Sequence, residues 1–167
     1  MVQLNGLPII TRIEGSKISI GQRSVLTSVS TRTALGVNHA VILRTLLPGA
    51  EIVIEEDVGI SGGSICAAIG ITIGRASLLG ANVTIADTDF HALRTRDRRY
   101  SGLPTACDAD RVTIGANVFL GTNSIVLKGV AIGDHAIIGA GSVLTRSVPA
   151  GAVCAGFPAR VVGNWLE

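Results

Sequence analysis

The chain has 167 residues, 47% of them hydrophobic but only 3% aromatic, and a formal net charge of +2. So small a charge excludes the basic footprint of a nucleic-acid partner, and no apolar run approaches the roughly 20 residues a membrane-spanning helix needs. The core has to be built from Ile, Val, Leu and Ala, and the 21 Gly spread along the chain call for tight turns at regular places. Cys66, Cys107 and Cys154 are odd in number and form no CxxC pair, so reduced thiols in a cytoplasm are expected. The start of the chain lacks the basic and apolar segments of a secretory signal, and the length suits one domain, residues 1–167.

In chain order, residues 1–51 read as irregular coils. Ile20 followed by Gly21, then Leu26, hints at one repeat, and residues 31–51 keep the flavour without the register. From 52 to 150 the pattern is regular. Ile54, Ile60 and Cys66 are six apart, as are Ile73, Leu79 and Ile85, with one extra residue between the sets. Ile114, Leu120, Val126, Ile132, Ile138 and Leu144 continue the period. Two positions before each of these six stands a small or β-branched residue, from Val112 to Ser142. Gly115, Gly121, Gly133 and Gly139 follow directly, with Leu127 and Thr145 as exceptions. Residues 151–167 are expected to form a short C-terminal helix or tail.

A period of six is neither helical nor simple strand alternation. It describes a short strand and a corner, three of which close one triangular coil. The repeated aliphatic points inward, the small residue fills the space beside the corner, and the following Gly is expected to permit the turn conformation. Each buried Ile or Leu contributes roughly 1.5–3 kcal/mol, and only a stack of coils buries its own face. A β-sandwich would not hold this register through so many consecutive units. Cys66 is expected at an inward position, acting as a small hydrophobe.

Between Ile85 and Ile114 the register fails in ADTDFHALRTRDRRYSGLPTACDADRVT, a polar stretch holding the chain's one Tyr and five Arg. It reads as a loop ejected from a corner at about 88–111. A long irregular stretch inside a compact repeat points to function.

The segments ITIGRASLLGANVTI and VTIGANVFLGTNSIVLKGVAIGDHAIIGAGSVLTRSVPAGAVCAGFPARVV resemble the hexapeptide-repeat acyltransferases, in particular maltose and galactoside acetyltransferases and members acting in polysaccharide synthesis. The resemblance implies an all-β, left-handed parallel β-helix, a hand that general crossover rules would not have chosen. It also implies a homotrimer with active sites between subunits and acetyl-CoA as co-substrate, with no metal. The DTDFH stretch is similar to the one carrying the family's catalytic His, which makes His91 the general base. A side chain of ordinary pKa near 6.5 suits that role. Asp87 or Asp89 would then hold the far ring nitrogen. The pantetheine arm would lie on corner backbone at Gly121 and Gly139-Ala140, with Phe119 where the family has a Trp. Arg146 and Arg160 stand where the family has phosphate-binding cations. The acceptor side is thinner: Ser61, Ser64 and Asn82 are the candidates, without the family's Asn and Asp, and a sugar or glycan hydroxyl is favoured over an amine. The rival readings are a non-catalytic prism used as a scaffold or binding module, a carbonic anhydrase, which would need clustered His, and a nucleotidyltransferase, which would need a further domain.

Overall fold

The computed structural model describes residues 1–165; the last two positions of the expected C-terminal segment lie outside them. The chain winds as a triangular prism, one strand per side. The first turn is β1 (Gln3–Asn5), β2 (Ile9–Thr11) and β3 (Lys17–Ile20). The second is β4 (Val25–Thr27), β5 (Ile42–Thr45) and β6 (Glu51–Ile54), and the third β7 (Gly59–Ser61), β8 (Ser64–Ala67) and β9 (Gly70–Ile73). The fourth is β10 (Leu78–Leu79), β11 (Thr84–Ala86) and β12 (Val112–Ile114), and the fifth β13 (Phe119–Leu120), β14 (Ile125–Val126) and β15 (Ala131–Ile132). The sixth is β16 (Ile137–Ile138), β17 (Val143–Leu144) and a single bridge from Val148 to Ile132. Then β18 (Ala152–Gly156) and β19 (Ala159–Asn164) follow.

These strands stack into three sheets, in the orders β1-β4-β7-β10-β13-β16-β18-β19, β17-β14-β11-β8-β5-β2 and β15-β12-β9-β6-β3. The sheets are called first, second and third here. The register explains the period of six. Leu26, Ile60, Leu79, Leu120, Ile138 and Cys154 form one inward ladder. Leu43, Ile65, Ile85, Val126 and Leu144 form the second. Ile20, Ile54, Ile73, Ile114 and Ile132 form the third. All but Ile20 are at most 3% exposed, so the core is a column of aliphatic layers.

Four expectations change. The prism begins at β1, since β1–β6 pair in register with the later turns; residues 1–51 are laid down in the same sheets despite their weak sequence pattern. Cys66 faces outward and is half-buried, because the tight corner Gly62-Gly63 puts Ile65 and Ala67 inside instead. Burial, opposed by Arg44, pushes its thiol above the ordinary range. The C-terminal segment is neither helix nor tail but the hairpin β18–β19, the antiparallel pair at the end of the first sheet. Finally, the Gly directly after each inward aliphatic does not supply the left-handed turn. A Cβ on Gly121 would stand 2.5 Å from Ala140 N in the next turn, so Gly is there for close stacking. The positive φ falls two residues later, at Asn82 (62°), Asn117 (53°), Asn123 (59°) and His135 (63°).

Two segments leave the prism at corners. One, residues 28–41, departs between β4 and β5, where the first sheet turns into the second. The other, residues 87–111, departs between β11 and β12, where the second turns into the third, and carries the short 3-10 turns Arg98–Tyr100 and Asp108–Asp110.

Candidate active site

The second excursion starts on a fixed anchor. Asp87 is fully buried, and its carboxylate accepts N–H bonds from Ala68 (2.6 Å), Ile69 (2.8 Å) and Gly70 (2.6 Å). It thereby satisfies the corner between β8 and β9 that the departing chain leaves uncovered. Phe90 then takes a left-handed conformation, φ 61°, and turns the chain outward. Asp89 pairs with Lys128 at 2.7 Å, and the same ammonium reaches Asp110 at 3.4 Å. Lys128 therefore ties the exit of the loop to its return. The Asp89 hydrogen bond is the main cause of an ammonium pKa raised above its ordinary value. Slight burial pushes the Asp110 carboxyl upward, but bonds from the Cys107 backbone and thiol, with Lys128, hold it below the ordinary range.

His91 is exposed at the root of this loop. Neither expected carboxylate orients it: Asp87 is committed to three backbone amides and Asp89 to Lys128. Its Nδ1 lies instead 3.3 Å from the carbonyl oxygen of Ser101. A carbonyl only accepts, so Nδ1 carries a proton, and in the neutral imidazole Nε2 then holds the lone pair. Ser101 is fixed in turn, its Oγ accepting from Ala92 N (3.0 Å) and donating to Arg98 O (2.8 Å). The loop thus folds back on its own histidine. Sequence reasoning missed both Ser101 and Lys128. The one available signal for Lys128 was the missing Gly after Val126, where Leu127-Lys128 breaks the repeat.

The expected cofactor residues lie elsewhere on the prism. Gly121, Gly139 and Ala140 form the corner between first and second sheets. The amides of Gly121 and Gly139 are occupied in the inter-turn ladder, donating to Ile138 O and Cys154 O at 2.8 Å. The corner N–H groups of Ala81, Thr122 and Ala140, the residues after Gly80, Gly121 and Gly139, have no hydrogen-bond partner among the described residues. Stacked parallel turns space such groups by about 4.8 Å, which suits an extended amide-bearing chain lying along the prism. Phe119 stands outward beside this column, 42% exposed, over Leu78 of the preceding turn. Arg160, on the C-terminal hairpin, is exposed with Nη1 donating to Ala159 O. Arg146 is exposed at the other corner, two residues past β17, on the side of Lys128 and His91. The two arginines are not brought together within one chain.

Of the acceptor candidates, Ser61 lines an open recess of about 210 Å³ beside the same column, together with Thr33, Ala34, Leu35, Leu78 and Thr122. Ser64 Oγ lies 3.4 Å from His39 Nε2. Asn82 accepts from Asn38 N at 2.8 Å and so anchors the first excursion. His91 and the amide column stand on different corners. A side of about five residues at roughly 3.3 Å each separates such corners by some 15 Å.

A protein built this way is a stack of six-residue units around a triangular core, with its chemistry-bearing groups ejected at the corners. The family model for the hexapeptide repeat of succinyl-transferase matches residues 51–86 and 111–146, the prism on either side of the loop. Galactoside O-acetyltransferase of Escherichia coli strain K12 is 40% identical over 95 residues, 55% of this chain and 43% of that protein. A tetrahydropyridine-dicarboxylate N-acetyltransferase of Staphylococcus aureus strain JH9 is 46% identical over 59 residues, 35% of this chain and 25% of that one. The chain therefore spans less than half the length of either. A solved galactoside acetyltransferase in complex with coenzyme A superposes with a TM-score of 0.59 at 27% identity, covering 98% of this chain and 64% of that one. The chain carries the hexapeptide repeat on both sides of the loop, and its fold is the left-handed parallel β-helix of the solved galactoside acetyltransferase.

Proposed function

We propose that the chain is an acetyl-CoA-dependent O-acetyltransferase acting on a hydroxyl of a sugar or glycan-like acceptor, with His91 as general base. The observation that carries this reading is the Ser101 carbonyl on His91 Nδ1, which leaves Nε2 as an accepting lone pair at the loop root. In the proposed reaction Nε2 takes the acceptor's hydroxyl proton as its oxygen attacks the thioester carbonyl. The resulting oxyanion is met by a free corner amide such as that of Ala140. The carbon–sulfur bond breaks, and the imidazolium returns the proton to the departing thiolate. The coenzyme A bound by the galactoside relative supports the donor, and its name supports the acceptor class.

The gap between His91 and the amide column supports a second element of the proposal. One chain supplies the base and the donor groove at different corners, so a productive site needs the loop corner of one subunit beside the amide column of another. A homotrimer satisfies this, with each groove between subunits taking Gly121, Thr122 and Ala140 from one copy and His91 from its neighbour. Arg146 and Arg160 would then converge on the phosphates from opposite sides of the groove. Reduced cysteines and a soluble donor fit a cytoplasmic setting.

Thiol release from acetyl-CoA with a panel of neutral sugars, anionic sugars and amines tests the reading. His91→Ala is expected to lower turnover roughly 10²–10⁴-fold with an unchanged melting temperature. Unaltered turnover in that variant rejects His91 as base. Release with amines alone would instead favour the N-acyl chemistry of the Staphylococcus relative.

A further inference from the structure

The crown of the loop holds a charge that neither the anchor at Asp87 nor the Lys128 clamp uses. Residues 92–107 contain four Arg (Arg94, Arg96, Arg98, Arg99) and one acid, Asp97, a net +3 in a chain whose total is +2. The rest of the molecule is therefore slightly acidic, and the positive charge is concentrated in one excursion. None of the four has a carboxylate partner among the described residues, where the salt bridges involve Arg23, Arg111 and Lys128. Arg98 has a structural task, donating to Leu93 O at 2.8 Å. Arg99 lies 5.6 Å from the ring centre of Tyr100, and that ring is itself 80% exposed.

The turn that carries Arg98 and Arg99 is tied to His91 by hydrogen bonds. The turn Arg98–Tyr100 leads directly into Ser101, whose carbonyl meets the imidazole and whose hydroxyl binds Arg98 O and Ala92 N. Exposed guanidinium groups and an exposed aromatic face thus stand three residues or fewer, along the chain, from the carbonyl that orients the base. An aromatic face is a platform for a sugar ring, and a planar guanidinium binds carboxylate or phosphate through paired hydrogen bonds. Like charges gathered without counter-ions raise the local concentration of an anion.

We propose that the acceptor is an anionic saccharide, held by Arg94, Arg96 and Arg99 with Tyr100 beneath a sugar ring, and that this loop selects it over neutral sugars. The proposal deepens the acetyltransferase reading and rests on it for the role of the ligand, but not for the binding itself. The negative charge has two possible sources, a carboxylate on the sugar or the diphosphate of a nucleotide-linked sugar.

Equilibrium binding to the full chain separates them without turnover. The probes are trigalacturonate and its methyl ester, UDP-galactose and galactose, and CoA as a donor control. The expected result is at least tenfold preference for trigalacturonate over its ester, or for UDP-galactose over galactose, the preferred probe naming the source. Arg99→Gln combined with Arg96→Gln should weaken that probe about tenfold or more, Arg99→Lys less so, with CoA affinity unchanged. Higher salt should weaken the anion and spare the ester. The inference is overturned if neither anion is preferred, if the preference survives the double substitution, or if the substitutions weaken CoA instead. A chain that binds the anion but transfers no acetyl group keeps this inference and rejects the catalytic one.

Discussion

The prism ejects its chain twice, and the two excursions differ in how they are held. Residues 28–41 close on neutral contacts. Ser30 Oγ bonds both backbone groups of Val37, and Asn82 reaches across from a later turn to Asn38 N. Residues 87–111 are held by charge: a buried carboxylate at the exit, and an ammonium spanning exit and return. The first excursion walls a recess; the second carries His91 and four guanidinium groups with no carboxylate partner among the described residues. Both leave from corners because a corner carries the fewest ladder bonds, and β4–β7 and β5–β8 pair across the break as though nothing intervened. A repeat fold can therefore acquire chemistry without altering its core, provided the departing chain is anchored.

The sharpest way to break the contrast is at Asp87. Asp87→Ala leaves three amides without their acceptor, and should cost about 3 kcal/mol or more of stability in thermal unfolding. Asp87→Asn should be intermediate, because one oxygen remains. If Asp87→Ala unfolds like the parent, the anchor is not structural. Next is Lys128→Met, which frees the loop while leaving the prism alone. Transfer should fall roughly ten- to a hundredfold through misplacement of His91, with a melting temperature nearly unchanged since the pair is partly solvated and screened. Lys128→Arg should recover part of it. Equal loss in Lys128→Arg and Lys128→Met would argue against a positional role.

The same clamp has a pH signature. The lowered Asp110 carboxyl stabilises the loop above the ordinary carboxylate range, and this is lost as pH falls through its lowered value. The raised Lys128 ammonium contributes below its ordinary pKa and is lost as pH rises through the raised value. Limited proteolysis within 92–107 should thus be slow through the middle range and fast at both extremes. The smallest effect is expected at the first excursion. Asn82→Ala loses one bond and strains a left-handed corner, about 1–2 kcal/mol. Asn82→Gly should cost less, and a larger loss than at Asp87 would reverse the contrast.

The prism was legible because its signal is repeated: each inward Ile, Leu or Val restates the same register, so one ambiguous unit does little harm. Cys66 shows how a single unit still misleads, since a corner shortened at Gly62-Gly63 turned an apparent inward residue outward. The DTDFH stretch placed His91 at the root of a loop, but its hydrogen-bond partner was not legible. The Ser101 carbonyl is backbone, ten residues on, and no side-chain pattern announces it. Asp87 was expected to orient His91 and instead caps three amides, because sequence adjacency to His91 is a weaker constraint than three unsatisfied amides in a neighbouring turn. Gly121 and Gly139, expected as backbone contacts, are likewise not available as donors, as their N–H groups belong to the ladder.

The aligned ladders carry one more consequence. Because every layer sits directly on an equivalent one, the molecule can be lengthened or shortened only by complete revolutions of the chain. Removing one residue from β13 would turn a stretch of interior aliphatics out to water, whereas Gly62-Gly63 shows that a corner absorbs the same change. Tolerance to insertion and deletion should therefore vary with a three-sided rhythm along the chain, high at the vertices and low on the faces.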